Sequence, residues 1–292
     1  MDAHVNVTQD GNFTIRPLDG LMGAEIEGLN LSATLEAPVV HDILDAFLAH
    51  HILIFRNQDL SKEAQVSFTE NFGELEGHVH RLPNGKKLPP VHIVNNLDPE
   101  GRPTAKPHTT GNYHWHTDKS YHAVPSLTTM LHAVELPESG GGDTQFANTK
   151  RGYDALSDTM KTRIADMKVE HSWEASRRNV GAPPPNAAQI SERPPVVHPI
   201  VRTHPDTGDK TLYLGHHMSH IVGLDKAESD ALLEELSDHT TQDEFVYTHQ
   251  WRTGDYVMWD NRLLLHRAMP NYKFSKDRRL LHRTVVIGTA PY

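Results

Sequence analysis

The feature that most constrains the fold of this 292-residue chain is a series of short apolar runs separated by turn-forming residues. Runs such as 51–56, 127–134 and 255–259 have the length of strands, and Gly, Pro, Asn or Asp lies close after each. Apolar runs bounded in this way are typical of β-strands. Amphipathic segments with helical spacing interrupt the series at 40–48, 61–72, 151–167 and 226–239. The pattern predicts a mainly β protein, a β-sandwich or jelly roll with flanking helices.

The domain organisation is predicted to be simple. No internal repeat or low-complexity linker divides the sequence, which favours a single domain over residues 1–292. Two long stretches, 74–112 and 175–199, are irregular and rich in Pro. Segments of that length without regular structure are usually functional in compact domains. We therefore predict that both are active-site loops.

Composition excludes several classes of function. A formal net charge of −10 argues against nucleic acid or a membrane surface as a partner. The absence of Cys rules out disulfides, thiolate metal sites and Cys nucleophiles. No apolar run has the ~18 residues of a membrane span, and the start of the sequence lacks a signal-peptide pattern, so we expect a cytoplasmic protein. The 22 His residues point to metal or proton chemistry.

His116 and Asp118 are the first candidates for such a site. In a strand, residues two apart point to the same face, so both side chains can bind one metal ion. Two His and one carboxylate on one face suit an iron site that also binds oxygen and a co-substrate. The spacing alone is weak, because about two such pairs arise by chance in a chain of this composition. His204 and Asp206 form a second pair, which turn chemistry explains.

Four motifs in a fixed order give the pair a context. They are Trp-His-Thr-Asp at 115–118, Glu-Leu-Pro through Gly-Gly-Asp-Thr at 135–144, Trp-Asp-Asn-Arg with a later His at 259–266, and 279–283. On these residues the chain resembles the iron(II)- and 2-oxoglutarate-dependent dioxygenases of the taurine dioxygenase and 2,4-dichlorophenoxyacetate dioxygenase family. The resemblance extends over nearly the whole chain. It implies a double-stranded β-helix, or jelly-roll, core with flanking α-helices.

The resemblance also implies the roles of five site residues. His116, Asp118 and His266 match the iron ligands of the family. Arg279 matches the arginine that pairs with the distal carboxylate of 2-oxoglutarate, and Thr144 matches the hydroxyl that hydrogen-bonds the same group. The chemistry agrees, because a buried dicarboxylate is best paired with a permanently charged, bidentate guanidinium. A hydroxyl donor can satisfy a remaining lone pair.

Arg279 has a second argument from the sequence. It begins a predicted strand in which Arg279, Leu281 and Arg283 alternate and so share one face. Two arginines on an inward face require anions there. The alternative interpretation is that 276–279 is an exposed basic turn.

The resemblance places a substrate anion among three side chains, His78, Asn112 and Arg283. The tyrosine that follows the substrate-binding His in the taurine enzyme corresponds to Arg81 here, which puts taurine itself in doubt. His78 can equally be read as part of a mobile, solvated loop. His216 and His217 are further candidates for the cavity wall, although a core role explains them as well. Asp260 and Asn261 are predicted to fix the loop that presents His266.

The resulting hypothesis is a dioxygenase that uses Fe(II), with 2-oxoglutarate and O2 as co-substrates. It would hydroxylate a small anionic substrate (a sulfonate, aryloxyalkanoate or alkyl sulfate) next to a heteroatom, leading to C–S or C–O cleavage with formation of succinate and CO2. Two alternatives remain open, a zinc-dependent hydrolase with an activated water and a non-catalytic jelly-roll binding protein. Family members are often dimers or tetramers, so a homo-oligomer is expected.

Overall fold

The computed structural model describes residues 6–7, 13–18, 20, 22–77, 90–105 and 110–292. The predicted substrate residue His78 lies outside the described residues, as does Arg81. In chain order, strands β1 to β16 are Asn6–Val7, Thr14–Pro17, Ala24–Glu27, Ile52–Phe55, His92–Asn95, Ser126–Glu135, Thr144–Asn148, Lys168–His171, Val196–Pro199, Val201–Thr203, Lys210–Leu212, Met218–Ile221, Val246–His249, Tyr256–Asp260, Leu264–Ala268 and Leu280–Ile287. Helices α1 to α7 are Ala37–His50, Lys62–Glu70, Thr149–Asp154, Asp158–Ile164, Trp173–Asn179, Ala187–Glu192 and Lys226–Thr240.

The strands form two main sheets. The larger has the order β1-β2-β3-β4-β14-β6-β16-β5, and its pairs are antiparallel except for β3 with β4. The smaller has the order β13-β7-β15 and is antiparallel throughout. Two minor sheets, β12-β8-β9 and β10-β11, complete the described strands.

Apolar residues on one face of the larger sheet pack against the smaller sheet. Ile52 and Ile54 of β4 are fully buried and belong to the same cluster as Phe146 of β7 and Leu264 of β15. Successive strand residues point to opposite faces, so this set comes from alternate positions of β4. The two sheets therefore face each other across a shared core, which confirms the predicted jelly-roll architecture.

The intervening residues of β4 point the other way, towards helices. Leu53 and Phe55 are fully buried in a second cluster with Phe47 of α1 and Phe68 of α2. Phe55 and Phe68 meet edge to face, with ring centroids 5.6 Å apart. Both helices thus cover the outer face of the larger sheet.

Helix α7 covers the outer face of the smaller sheet. Its buried residues Leu232 and Leu236 pack in a third cluster with Ala147 of β7 and Leu265 of β15. Because His266 is the neighbour of Leu265 in β15, it points to the inner side of the same strand. The layers of the fold therefore place His266 between the two main sheets.

Local sequence signals set several helix boundaries. Ser61 caps α2 by accepting a hydrogen bond from the backbone N–H of Ala64, at the start of the amphipathic segment predicted over 61–72. The helix predicted over 151–167 is instead two helices, α3 and α4. Ser157 starts the second one by accepting from the N–H of Met160. This cap competes with a continuous helix and divides the segment.

Both predicted irregular stretches contain regular structure. Within 74–112, β5 pairs with β16 at the edge of the larger sheet. Within 175–199 lie the end of α5, all of α6 and β9. Helix α6 begins with a reciprocal capping box between Asn186 and Gln189. β5 forms because it pairs with β16, which is distant in the sequence. The residues of β5 alone do not indicate such a pairing. Among the described residues, no helix is long and apolar enough to cross a membrane.

Candidate active site

A two-residue bridge brings His116 and His266 together. The backbone N–H of His116 donates to the carbonyl of His266 at 3.1 Å, and the N–H of His266 donates back at 2.7 Å. The ring centroids are 4.1 Å apart. The strand predicted at 116–118 is limited to this single bridge, and Asp118 begins a turn. His266 lies in β15, not in a loop as predicted.

Asp118 completes a compact set of three possible metal ligands. Its Oδ1 is 3.8 Å from Nε2 of His116 and 3.9 Å from Nε2 of His266. The three ligand atoms all lie within 4.8 Å of one another, and all three residues are buried. Two imidazoles and one carboxylate on one side of a cavity form a donor set suited to a divalent first-row metal with open positions.

The protonation states of the three residues also suit a metal. Nδ1 of His116 lies 2.8 Å from the carbonyl of His114, which can only accept, so Nδ1 carries the proton and Nε2 presents its lone pair. Burial lowers the pKa of His116, and it lowers the pKa of His266 to about 3, so both rings are neutral. Burial raises the pKa of Asp118, but the charge of Arg283 and the hydrogen bond from Thr129 oppose it, so that pKa lies below its ordinary value and the carboxylate is ionised.

A buried hydrogen-bond chain holds the Asp118 carboxylate. Thr129 of β6 donates to its Oδ2, and the side-chain amide of Asn261 donates to Thr129 Oγ1 at 2.9 Å. The indole of Trp259 donates to the amide oxygen of Asn261 at 3.1 Å. Asn261 therefore supports Asp118, not His266 as predicted. Thr129 was not singled out from the sequence, because only the pairing of β6 with β14 brings it to the site.

A small cavity of about 50 Å³ connects the metal triad with the predicted 2-oxoglutarate residues. Thr144, Arg279 and Arg283 all line it, as does Asn112. The triad residues His116, Asp118 and His266 also line it, together with Trp259. Arg279 and Arg283 therefore face the same space, in agreement with the predicted strand alternation and not with an exposed turn.

Arg279 is a buried cation, 7% exposed. Its backbone N–H donates to the amide oxygen of Asn96 at 2.9 Å, and its Nε donates to the carbonyl of Gly142 at 3.1 Å. It makes no ion pair with a carboxylate of the described residues. Burial lowers the pKa of Arg279, which reflects the cost of a desolvated charge. A guanidinium so placed is stabilised by an anion in the adjoining cavity.

The hydroxyl of Thr144 is oriented by an indole. Trp251 Nε1 donates to Thr144 Oγ1 at 3.0 Å. Because an indole can only donate, the Thr144 proton remains available to another acceptor. Trp251 was not predicted, and the contact spans 107 residues of sequence. Thr144 and Arg279 therefore both present donors to the small cavity.

A second cavity, of about 570 Å³, adjoins the first. Asn112, His116, Asp118 and Arg283 line both cavities, and Arg283 Nη1 lies 3.9 Å from Asp118 Oδ1. The remaining wall of the larger cavity combines small and apolar residues with six aromatic or basic ones, which are Lys119, Tyr121, Trp173, Arg177, His216 and His217. The predicted wall residues His216 and His217 thus border this cavity, and Asn112 and Arg283 connect it to the metal triad.

The other His-x-Asp pair has a different environment. His204 is fully buried, and its Nε2 lies 3.1 Å from Oδ2 of Asp260. Asp206 instead accepts from the guanidinium of Arg262. No third possible ligand joins this pair among the residues that the structure describes. Of the two His-x-Asp pairs, therefore, only His116 and Asp118 have the arrangement of a metal-binding site.

Comparisons with known proteins agree with this geometry. The profile of the taurine catabolism dioxygenase TauD, TfdA family matches residues 14–285. The chain is 37% identical over 278 residues to an alpha-ketoglutarate-dependent 2,4-dichlorophenoxyacetate dioxygenase of Cupriavidus pinatubonensis, covering 92% of this chain and 96% of that protein. It is 32% identical over 294 residues to an alkylsulfatase of Acinetobacter baylyi, covering 97% and 87%.

A solved structure gives the same result for the fold. The crystal structure of AAD-2 in complex with Mn(II) and N-oxalylglycine is 35% identical, has a TM-score of 0.86, and covers 96% of this chain and 98% of that one. These relatives support a dioxygenase that uses a metal ion and 2-oxoglutarate, and none supports the hydrolase or the binding protein. The chain belongs to the taurine catabolism dioxygenase TauD, TfdA family and is a 2-oxoglutarate-dependent dioxygenase.

Proposed function

We propose that this enzyme uses Fe(II) and O2 to hydroxylate a small anionic organic substrate at a carbon next to a heteroatom. One oxygen atom of O2 enters the substrate and the other enters succinate, as 2-oxoglutarate loses CO2. The hydroxylated carbon then releases its heteroatom group, with C–O or C–S cleavage. The observation that carries the proposal is the single cavity shared by the metal triad, Thr144 and Arg279. Relatives named for 2,4-dichlorophenoxyacetate and for alkyl sulfates support the substrate class.

His116, Asp118 and His266 would hold the iron. Their nitrogen and oxygen donors, the neutral imidazoles and the ionised carboxylate support this assignment. Bound there, iron supplies the activation of oxygen that side chains cannot provide. The protein's part is to keep the ligands in place, and the Thr129–Asn261 chain does so for Asp118.

Arg279 and Thr144 would bind the distal carboxylate of 2-oxoglutarate. The buried guanidinium of Arg279 needs an anion, and Thr144 has a proton to donate. Both line the small cavity together with the triad, so a small dicarboxylic keto acid bound to them would lie close to the metal ligands.

Asn112 and Arg283 would orient the substrate anion. Both border the small and the large cavity, which places them between the 2-oxoglutarate residues and the open space of about 570 Å³. His78 is proposed as a third substrate contact from the family resemblance alone.

The first experiment needs no substrate. Fe(II) and then 2-oxoglutarate are added to the apoprotein without oxygen, and the visible metal-to-ligand charge-transfer band of a chelated keto acid is recorded. The wild type and Asp206→Ala are expected to show the band, and Asp118→Ala is expected to lose it. Arg279→Ala should require much more 2-oxoglutarate. A band that persists unchanged in Asp118→Ala would refute the metal assignment.

Substrates can then be tested by succinate release. Phenoxyacetates, alkyl sulfates and sulfonates are each incubated with enzyme, Fe(II), 2-oxoglutarate and O2. We expect one class to stimulate succinate formation in step with product. Product that forms equally well without O2 would instead support the zinc-dependent hydrolase.

A further inference from the structure

Two arginines lie against one indole at the wall of the 570 Å³ cavity. Trp173, the first residue of α5, lines this cavity. The guanidinium carbon of Arg177 is 5.9 Å from the centroid of its ring, and that of Arg193 is 5.4 Å away. Two positive charges therefore share a single aromatic side chain.

No carboxylate in the part of the chain that the structure describes balances either of these charges. Arg177 donates from Nε to the carbonyl of Pro183, and it lines the cavity itself. Neither Arg177 nor Arg193 makes an ion pair with a carboxylate of the described residues. By contrast, the neighbouring cation Lys119 is paired with Glu76. An anion bound beside Trp173 would be attracted by both guanidinium groups.

This pair of cations is separated from the metal triad by an aromatic wall. The ring of Trp173 is 5.1 Å from that of Tyr121, which is 4.9 Å from that of His217. The ring of His217 in turn is 6.0 Å from that of the metal-ligand candidate His116. Arg283 stands at the triad end, 3.9 Å from Asp118. The cavity wall thus carries Arg283 beside the triad and Arg177 beside Trp173, and a row of aromatic rings runs from Trp173 to His116.

The charges at the triad end leave Arg283 for the substrate. With a divalent metal bound, Asp118 and the two charges of 2-oxoglutarate are balanced by the metal and Arg279. Arg283 then remains for one substrate anion, as the proposed function requires. The two arginines at Trp173 are an excess that a substrate with a single charge does not explain.

We propose that Arg177 and Arg193 form a second anion-binding site, and that the substrate is an elongated dianion with an apolar or aromatic middle. Its first acidic group would meet Arg283, and its second would meet the two arginines at Trp173. The inference rests on the proposed function for the Arg283 end. It adds the second charge and the residues that recognise it.

The test compares matched ligands with one and two acidic groups. Wild-type protein is loaded with Mn(II) and N-oxalylglycine without oxygen, and binding is measured by calorimetry. The ligand pairs are phenoxyacetate with 4-(carboxymethoxy)benzoate, and hexanoate with adipate. We expect at least one dianion to bind about tenfold more tightly than its partner, the effect of one charge-assisted contact. Arg177→Gln and Arg193→Gln should remove this preference and leave the monoanion within about twofold.

Arg178→Gln is the matched control, because Arg178 is the next residue of α5 but borders a different groove, along α7. It should keep the preference. Melting curves of all three variants show whether each is folded, and either arginine variant is sufficient for the comparison.

Several outcomes would overturn the proposal. They are equal affinity for each ligand pair, weakening of both members by the arginine variants, and no binding of either dianion to loaded protein. Inorganic sulfate is added as a further ligand. If it binds at the two arginines while the ligand pairs bind equally, the site serves a free anion and not the substrate. Failure of N-oxalylglycine itself to bind would instead contradict the proposed function.

Discussion

The indole nitrogen of Trp251 donates a hydrogen bond to the hydroxyl oxygen of Thr144 at 3.0 Å, and the two residues are 107 positions apart. Trp251 is buried in the core between the two main sheets. The bond occupies a lone pair of Thr144 and directs its proton away from the indole. Trp251 therefore positions a residue proposed to bind 2-oxoglutarate without lining the small cavity itself.

Replacement of Trp251 by Phe should weaken 2-oxoglutarate binding by about fivefold, the value of one ordinary hydrogen bond. The measurement is an anaerobic titration of the Fe(II) enzyme with 2-oxoglutarate. In a Thr144→Ala background the same change should have almost no further effect, because the hydroxyl that it orients is absent. Additive losses in the double variant would show that Trp251 acts only through general packing.

Gly142 should matter for 2-oxoglutarate because of its contact with Arg279. A Cβ at this position would lie 2.9 Å from Arg279 Nε, and the backbone has φ of +73°. Gly140 has a similar φ of +78°, but no heavy atom lies within 4 Å of a Cβ there. Both Ala variants should lose about 1 kcal/mol of stability from the left-handed backbone.

Only Gly142→Ala should also weaken 2-oxoglutarate binding, because the added Cβ displaces the guanidinium of Arg279. Chemical unfolding and the anaerobic titration measure the two effects separately. Equal affinities in the two Ala variants would contradict the proposed role of Arg279.

Thr129→Val should lower metal affinity by about tenfold, since it removes the donor to the second oxygen of Asp118. Thr128→Val is a close control. Thr128 is also fully buried, but its hydroxyl donates to the carbonyl of Trp259 at 2.8 Å. Competition with a metal-binding dye measures the affinity of each variant. Similar losses of metal affinity in the two Val variants would indicate a general effect on the strand. They would contradict a specific role of Thr129 in holding the Asp118 carboxylate.

The free energy of unfolding of the metal-free protein should fall as the pH is lowered from about 6.5 towards 3. Burial lowers the pKa of His51 to about 4 and that of His171 to about 3. The unfolded chain takes up protons near the ordinary histidine pKa of 6.5, where these rings of the folded chain do not. The unfolded state therefore binds more protons in this window, so stability is complete above it and is lost as the pH falls.

Each such His changes the free energy of unfolding by at most about 1.4 kcal/mol per pH unit. Urea unfolding at several pH values gives the slope. His171→Gln should make it shallower, whereas His41→Gln, at an exposed position, should not. A stability that rises on acidification would contradict the burial of these rings in neutral form.

Much of the fold could be predicted from local patterns. The continuous apolar run of β4 predicts a buried strand, and the structure buries Ile52 and Ile54 on one face and Leu53 and Phe55 on the other. Ser61 begins α2 through its own side chain. Such features depend on neighbours within a few residues, and so the sequence displays them directly. β5 and β15 were not predicted, because partners far along the chain stabilise them.

For the candidate site, the sequence by itself determined the chemistry of the donors. His116, Asp118, His266, Thr144 and Arg279 could all be named from motifs that the chain shares with the family, and the chemistry of an iron site and of a dicarboxylate agrees with them. Only the tertiary structure decided which groups support them and what surrounds them. Thr129, Trp251 and the arginines at Trp173 reach the cavities through contacts between distant segments. Donor type is a property of one residue, whereas position, burial and charge balance arise only when the sheets and helices pack together.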